Sequence, residues 1–112
     1  TVSFGTIHGM TVAKPVLDLE HLVRLRKASD CALVMHGSSG VETEQLKKAI
    51  TYGLSKINVY TKVSTSAQKA IQDAVCPEKP LYYHEIEAVA KSAMKEAAKE
   101  TIRLLSNGHT FG

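Results

Sequence analysis

Residues Cys31 to Gly40 read CALVMHGSSG, and this stretch decides the fold class. Its first five residues, Cys31–Met35, form an uninterrupted apolar run, which is typical of a strand buried on both faces of a parallel sheet. A histidine, a glycine and two serines end the run, and an amphipathic segment follows from Glu42 to Leu54. A buried strand, a turn of small residues and a helix in this order predict part of a β-α-β unit.

The same alternation extends along the chain in both directions. The predicted elements are strands at residues 2–7, 31–35 and 56–60 and helices at residues 15–28, 42–54, 62–75 and 84–105. Strands and helices that alternate at this spacing form right-handed β-α-β units around a parallel sheet. Three buried strands would leave both edges of that sheet open, so we expect the 112 residues to be part of a larger α/β domain. A closed (β/α)₈ barrel takes roughly 250 residues, and this chain would supply its last three strands.

The composition is that of an ordinary globular domain, and it excludes several classes of protein. The formal net charge of +3 is too small, and too evenly spread, to predict a nucleic-acid-binding surface. The sequence contains no run of about 18 apolar residues, so we expect no membrane span. The two cysteines, Cys31 and Cys76, are too few for a disulfide scaffold. We expect both to be reduced and the protein to be cytoplasmic.

Three polar residues fall at the carboxyl ends of the three predicted strands, namely His8, His36 and Asn58. The carboxyl ends of parallel strands meet at one edge of the sheet, which is the functional edge of α/β barrels and open α/β sheets. A glycine follows each histidine and lets the backbone approach a ligand closely. Neutral imidazole is the commonest metal ligand in proteins. The repeated pattern predicts a metal site, although either histidine alone would more often be a hydrogen-bonded, half-buried side chain.

Two segments at this edge are candidates for binding phosphate. Gly37–Gly40, GSSG, lies between a strand and the N-terminus of a helix, where backbone N–H groups and serine hydroxyls can bind an anion. The same residues also suit an ordinary tight turn, and they match neither the P-loop nor the nucleophile elbow. Asn58–Thr61, NVYT, follows the next strand, and its asparagine either contacts a ligand or ends the strand. Since the last two loops of a barrel often bind phosphate, the two segments predict a phosphorylated substrate beside a metal.

Four motifs occur in order along the chain: GTIHG at residues 5–9, KPVLD at 14–18, LVMHGSSG at 33–40 and KINVYT at 56–61. Together they resemble the class II ketose-bisphosphate aldolases, which include the fructose- and tagatose-bisphosphate enzymes. The resemblance implies a (β/α)₈ barrel of which residues 1–112 are the C-terminal portion, about strands six to eight, and thus an incomplete domain. It implies a zinc-dependent lyase, commonly a dimer or larger, that cleaves a ketose bisphosphate reversibly to dihydroxyacetone phosphate and an aldehyde.

The resemblance also implies roles for individual residues. His8 and His36 match two zinc ligands, and Gly9 matches a residue whose backbone contacts the substrate. The positions that match the phosphate loop and the second substrate segment are Gly37, Ser38, Ser39, Asn58, Val59, Tyr60 and Thr61. Some family members bind a monovalent cation, Na⁺ or K⁺, near the phosphate. The third zinc histidine and the catalytic aspartate of the family lie on an earlier strand, so this chain would not catalyse the reaction alone.

Several positions depart from the pattern of the resembling family. Thr11 stands where tyrosine is common, Val12 and Ala13 where a lysine often follows, Ser38 where a second glycine is usual, and Lys62 where an acid often occurs. These differences leave the substrate preference open. They also leave open a second hypothesis, a non-catalytic aldolase-like protein that binds phosphosugars or regulates. A third hypothesis is an independently folding half-barrel, which the exposed sheet edges disfavour.

Overall fold

The computed structural model describes residues 1–6, 14–76 and 80–109. Their elements, in chain order, are α1 (Leu19–Ala28), β1 (Leu33–Met35), α2 (Thr43–Thr51), β2 (Leu54–Ile57), α3 (Thr61–Ala74) and α4 (Tyr83–Leu105). The two strands are parallel neighbours, and α2 connects them, as in a β-α-β unit. The predicted α/β class is confirmed.

The chain divides into two compact units. The first comprises Thr1–Val59 together with the segment from Leu104 onward, and it contains α1, α2 and both strands. The second comprises Tyr60–Arg103, and it contains α3 and most of α4. Across the described residues, no helix combines the length and the hydropathy that crossing a bilayer requires.

The register of the two strands contains one irregularity. The Cα partners are Leu33 with Leu54, Val34 with Lys56, and Met35 with Ile57. Ser55 is therefore an additional residue on β2, and the pairing downstream is shifted by one position, as in a β-bulge. Past the last pair, the N–H of Asn58 donates to the carbonyl of Met35 at 3.0 Å. The shifted register thus places Asn58 beside the residue that follows β1.

The strand predicted at residues 2–7 does not form within residues 1–6, and residue 7 lies outside the described part. The N–H of Val2 donates to the carbonyl of Val34 at 3.0 Å, but this single bond is not a ladder. The chain bends at Gly5, whose φ of 109° suits glycine. A Cβ on Gly5 would also overlap the carbonyl oxygen of Val16. The bend interrupts the extended conformation that the apolar residues predicted.

The boundaries of the other elements differ from the predictions at identifiable residues. α1 begins at Leu19 rather than at Pro15 because Asp18 caps it, with Oδ1 accepting from the N–H of His21 at 2.8 Å. α2 ends at Thr51, before the predicted Leu54, because Gly53 turns the chain with a φ of 97°. β2 consequently starts earlier than the predicted strand at 56–60, and it ends before Asn58.

The core of the first unit surrounds the two strands. Its buried residues are Phe4, Leu17, Leu22, Leu33, Met35, Leu46, Ala49 and Leu54. Met35 is completely enclosed, and it directly precedes His36 in the chain. In the second unit Ala97 is buried, whereas Ile102, also on α4, is 56% exposed. The backbone that leads into the loop after β1 is therefore fixed by the core.

Candidate functional site

His36 and Asn58 meet where β1 and β2 end. The Nδ2 atom of Asn58 lies 3.1 Å from Nε2 and 3.2 Å from Nδ1 of His36. Because the amide nitrogen is almost equidistant from the two ring nitrogens, it packs against the imidazole ring, and the tautomer of His36 decides which nitrogen can accept from it. Both residues are half-buried. Two residues that the sequence assigned to one sheet edge are thus neighbours in space.

Two hydroxyl groups hold the backbone of these residues. Thr6 Oγ1 donates to the carbonyl of His36 at 2.8 Å, and Ser38 Oγ donates to the carbonyl of Asn58 at 2.9 Å. Both carbonyls belong to residues that directly follow the ends of β1 and β2. A half-buried carbonyl outside the strand ladder requires another hydrogen-bond donor, and the two hydroxyls supply it. The bonds connect three segments that are distant in sequence.

The loop after His36 leads directly to the N-terminus of α2. Gly37 and Gly40 have φ values of 70° and 81°, in the left-handed region that favours glycine. The N–H of Val41 donates to the carbonyl of Ser38 at 3.3 Å and closes a turn inside the loop. Backbone N–H groups in a loop before a helix N-terminus can bind an anion, and this loop has that position. Ser39 is half-buried, and its hydroxyl has no hydrogen-bond partner among the described residues.

The segment from Lys14 to Asp18 is attached to α2 beside this loop. Lys14 Nζ lies 2.6 Å from Oε1 of Glu42, the N-cap residue of α2. The hydrogen bond and the opposite charge of Glu42 raise the pKa of Lys14, and those of Lys14 lower the pKa of Glu42. The N–H of Leu17 donates to Oε1 of Gln45 at 2.7 Å. The ion pair is exposed, so it contributes little to stability and is sensitive to salt.

The remaining predicted substrate residues follow Asn58 along the chain. Val59 is half-buried. Tyr60, at 78% exposed, is the N-cap residue of α3, and its carbonyl accepts from the N–H of Ser64 at 3.0 Å. Thr61 is the first residue of α3. Since β2 ends at Ile57 and α3 begins at Thr61, Asn58 lies in the connection between them and not inside a strand, where asparagine is disfavoured.

The predicted ligand His8 and the predicted substrate residue Gly9 lie outside the described residues. Within residues 1–6, 14–76 and 80–109, no three side chains of the types His, Cys, Asp and Glu are close enough to hold a metal ion. The donor chemistry of His36 does fit zinc, because zinc accepts imidazole nitrogen and the ring lies at a half-buried strand end. A neighbouring amide such as that of Asn58 can orient a ligating ring.

No sequence pattern indicates the role of Thr6. It lies in the GTIHG motif, yet neither its type nor its spacing predicts a contact with the carbonyl of His36, which is 30 residues away. That contact depends on the bend at Gly5. The bond from Ser38 to Asn58 was equally unexpected, since the sequence suggested that this serine binds phosphate. Hydroxyl-to-carbonyl bonds between distant segments have no local sequence pattern.

Comparison with protein families gives one match over nearly the whole chain. The model for "Fructose-bisphosphate aldolase class-II" matches residues 1–109. Among curated proteins, YdjI of Escherichia coli K12, described as uncharacterized, is 34% identical over 106 residues. That match covers 95% of this chain and 37% of YdjI, so the chain spans less than two fifths of its relative.

Comparison with solved structures agrees with the family match. The crystal structure of the YdjI aldolase from Escherichia coli K12 superposes with a TM-score of 0.78 at 32% identity, covering 96% of this chain and 38% of that one. A candidate fructose-1,6-bisphosphate aldolase from Coccidioides immitis gives a TM-score of 0.82 at 25% identity, with 94% and 37% covered. The α/β unit built around His36 and Asn58 therefore recurs in these structures.

Proposed function

Because the chain belongs to the class II fructose-bisphosphate aldolase family, we propose that it forms part of a zinc-dependent aldolase. The proposed reaction is the reversible aldol cleavage of a ketose bisphosphate, such as fructose or tagatose 1,6-bisphosphate, to dihydroxyacetone phosphate and an aldehyde. The observation that carries the proposal is the contact between His36 and Asn58 at the carboxyl end of a parallel sheet. This is the edge at which α/β enzymes place their catalytic groups.

We propose that residues 1–112 are the C-terminal portion, about strands six to eight, of one (β/α)₈ barrel domain. Two observations support this proposal. The match to YdjI covers 95–96% of this chain but only 37–38% of YdjI. In addition, Val2 bonds to β1, so three chain segments follow one another in the order that successive barrel positions require. The full-length protein would be a homo-oligomer, as is common in the family.

For zinc, the proposal assigns His36 and His8 as ligands. When bound, zinc supplies Lewis-acid polarisation of the substrate carbonyl. Asn58 orients the ring of His36 through its amide, which lies within 3.2 Å of both ring nitrogens. The third ligand and the catalytic acid or base are expected outside this chain, so the 112 residues would not cleave substrate by themselves.

For the phosphate group, the proposal assigns the backbone of the loop Gly37–Ser39, the hydroxyl of Ser39 and the segment Asn58–Thr61, with the backbone of Gly9 as a further contact. The loop's turn and its position before α2 support this assignment, because N–H groups at a helix N-terminus favour an anion. In the segment, the side chains of Asn58 and Thr61 and the backbone of Val59 and Tyr60 would contact the substrate. A monovalent cation, Na⁺ or K⁺, would bind near the phosphate.

Substitution of His36 in the full-length protein tests the metal assignment. We expect His36→Ala to lower the zinc content well below one ion per chain and to reduce cleavage by a factor of about 10³ or more, because an open coordination position removes both binding and polarisation. Zinc is measured by elemental analysis and cleavage by coupled assay. His84, an exposed histidine of α4, provides the control, since His84→Ala should change neither quantity.

Two results would contradict parts of this proposal. Full zinc content in His36→Ala would remove His36 from the ligand set. Zinc bound by the wild-type protein without cleavage of any ketose bisphosphate would instead support the alternative, a non-catalytic protein that binds phosphosugars. Removal of zinc with a chelator and its readdition serve as a control, because activity returns if only the metal was lost and does not return if the protein has unfolded.

A further inference from the structure

Ser38 makes a contact that its predicted role as a phosphate ligand does not explain. Its hydroxyl donates to the carbonyl of Asn58 at 2.9 Å, across 20 residues of sequence. The hydroxyl and its acceptor are partly buried, so water competes weakly for this bond. A hydroxyl that already donates to a backbone carbonyl has no second proton for a phosphate oxygen.

Asn58 is held at three points, of which Ser38 supplies one. Its N–H donates to the carbonyl of Met35 at 3.0 Å, its carbonyl accepts from Ser38, and its side-chain amide contacts His36. Fixing the N–H and the carbonyl of one residue restricts both of its backbone torsions, and these set the direction of its side chain. The two backbone bonds therefore fix the direction of the Cα–Cβ bond of Asn58, from which its amide reaches His36 in one staggered rotamer.

We infer that Ser38 is a positioning residue, whose hydroxyl holds the backbone of Asn58 so that the Asn58 amide faces the ring of His36. The hydroxyl acts on the histidine through the asparagine and does not bind the phosphate itself. The expected effect of Ser38 on catalysis rests on the proposed function, whereas its expected effect on the position of the Asn58 amide does not. Ser39, the next residue in the loop, has a hydroxyl without a hydrogen-bond partner in the described part of the chain, which makes it the matched control.

Crystal structures of the full-length protein test the geometry without any substrate. In Ser38→Ala we expect the amide of Asn58 to move beyond 3.5 Å from both ring nitrogens of His36, whereas in Ser39→Ala it should stay near the 3.1 Å of the parent structure. An unchanged contact in Ser38→Ala would overturn the inference. If that variant does not fold, Ser38→Cys keeps the side-chain volume with a much weaker donor, and the same displacement is expected.

Kinetics of the same variants separate positioning from phosphate binding. We expect Ser38→Ala to lower kcat about fivefold, which is the worth of one neutral hydrogen bond, and to leave KM within about twofold. Inhibition by inorganic phosphate should be unchanged, and Ser38→Thr, which keeps the hydroxyl, should restore most of kcat. A weaker inhibition by phosphate with an unchanged kcat would show that Ser38 binds the anion directly, and it would overturn the inference.

The two kinds of measurement keep this inference apart from the proposed function. A wild-type protein without aldol cleavage would contradict the proposed function, and the crystallographic comparison would still decide whether Ser38 positions Asn58. A wild-type protein that cleaves substrate while Ser38→Ala retains both its Asn58 contact and its kcat would contradict the inference alone.

Discussion

Single hydroxyl groups hold the backbone of the two strand-end residues, His36 and Asn58. His36 and Asn58 are recognisable in the sequence because each is a polar residue after an apolar run. Their spatial contact follows from strand register, which alternation of strands and helices predicts in outline. Thr6 and Ser38 are not recognisable in this way, since their bonds depend on a bend at Gly5 and a turn in the loop.

Ser39 is the residue whose phosphate role can be tested by one substitution. In the full-length protein we expect Ser39→Ala to raise KM for a phosphorylated substrate roughly tenfold, because a hydrogen bond to a charged group is worth more than one between neutral groups. The measurement compares steady-state kinetics of a ketose bisphosphate with those of an analogue that lacks the phosphate bound by this loop. An equal loss with both substrates would contradict a phosphate role.

The ion pair between Lys14 and Glu42 predicts a pH dependence of stability. The pKa of Glu42 is lowered from its ordinary value of 4.5, so the stabilisation is present above that pH and is lost as the pH falls through the lowered pKa. The pKa of Lys14 is raised from 10.5, so the stabilisation is lost again as the pH rises through the raised value.

We therefore expect Lys14→Met to lower the urea midpoint slightly at neutral pH, because the pair is exposed. The difference from wild type should vanish in strong acid and in high salt. The lysine is substituted because Glu42, the N-cap residue of α2, then remains at the helix N-terminus. A difference that persists when the carboxylate is protonated would mean that Lys14 stabilises by another contact.

At the scale of helices and strands, the sequence predicts which elements exist better than where they end. Four helices are predicted and four are present among the described residues. Errors occur where one residue changes the direction of the chain. Gly53 ends α2 early, and a Cβ there would lie 2.9 Å from Cδ of Arg26. Asp18 delays the start of α1 by capping it.

Leu22 is the residue that attaches α1 to the core. Its side chain is 0% exposed and lies in the cluster around the two strands. We expect Leu22→Ala to lower the free energy of unfolding by about 2–5 kcal/mol, through lost burial and the cavity left behind. Val16, at 73% exposed, is the control, and Val16→Ala should change the free energy of unfolding by less than about 0.5 kcal/mol. Urea unfolding of the full-length variants measures both, and similar effects would contradict the assigned core.

At the scale of the whole molecule, the described strands form a sheet that a barrel would extend. Within residues 1–6, 14–76 and 80–109, β2 pairs with β1 alone. An open pocket of about 280 Å³ lies along β2, lined by Ile50, Leu54, Ser55, Lys56, Ile57 and Leu105. A parallel strand with an unpaired edge and an apolar groove is what the proposed barrel would cover. The sequence predicts the α/β class, but nothing in the residues of β2 shows which strand would pair with its open edge.

We expect the 112 residues, produced alone, to show no cooperative thermal transition, because too little of the sheet is paired and covered. The full-length protein should show one. Differential scanning calorimetry of both, with the mass checked by light scattering, makes the comparison. A sharp transition in a monomer of 12.2 kDa would instead favour an independently folding half-barrel.

The additional residue in β2 has a consequence for how this site can change in evolution. Because Ser55 shifts the register by one position, Asn58 rather than Ile57 lies beside the residue after β1. Replacement of Ser55 by another exposed residue would preserve that spacing. A regular ladder that keeps Ser55 would not, since it would bring the aliphatic side chain of Ile57 to the histidine, whereas deletion of Ser55 would remove the bulge and leave Asn58 beside His36. The pairing of His36 with Asn58 therefore tolerates the bulge together with its extra residue, or the loss of both, but not one without the other.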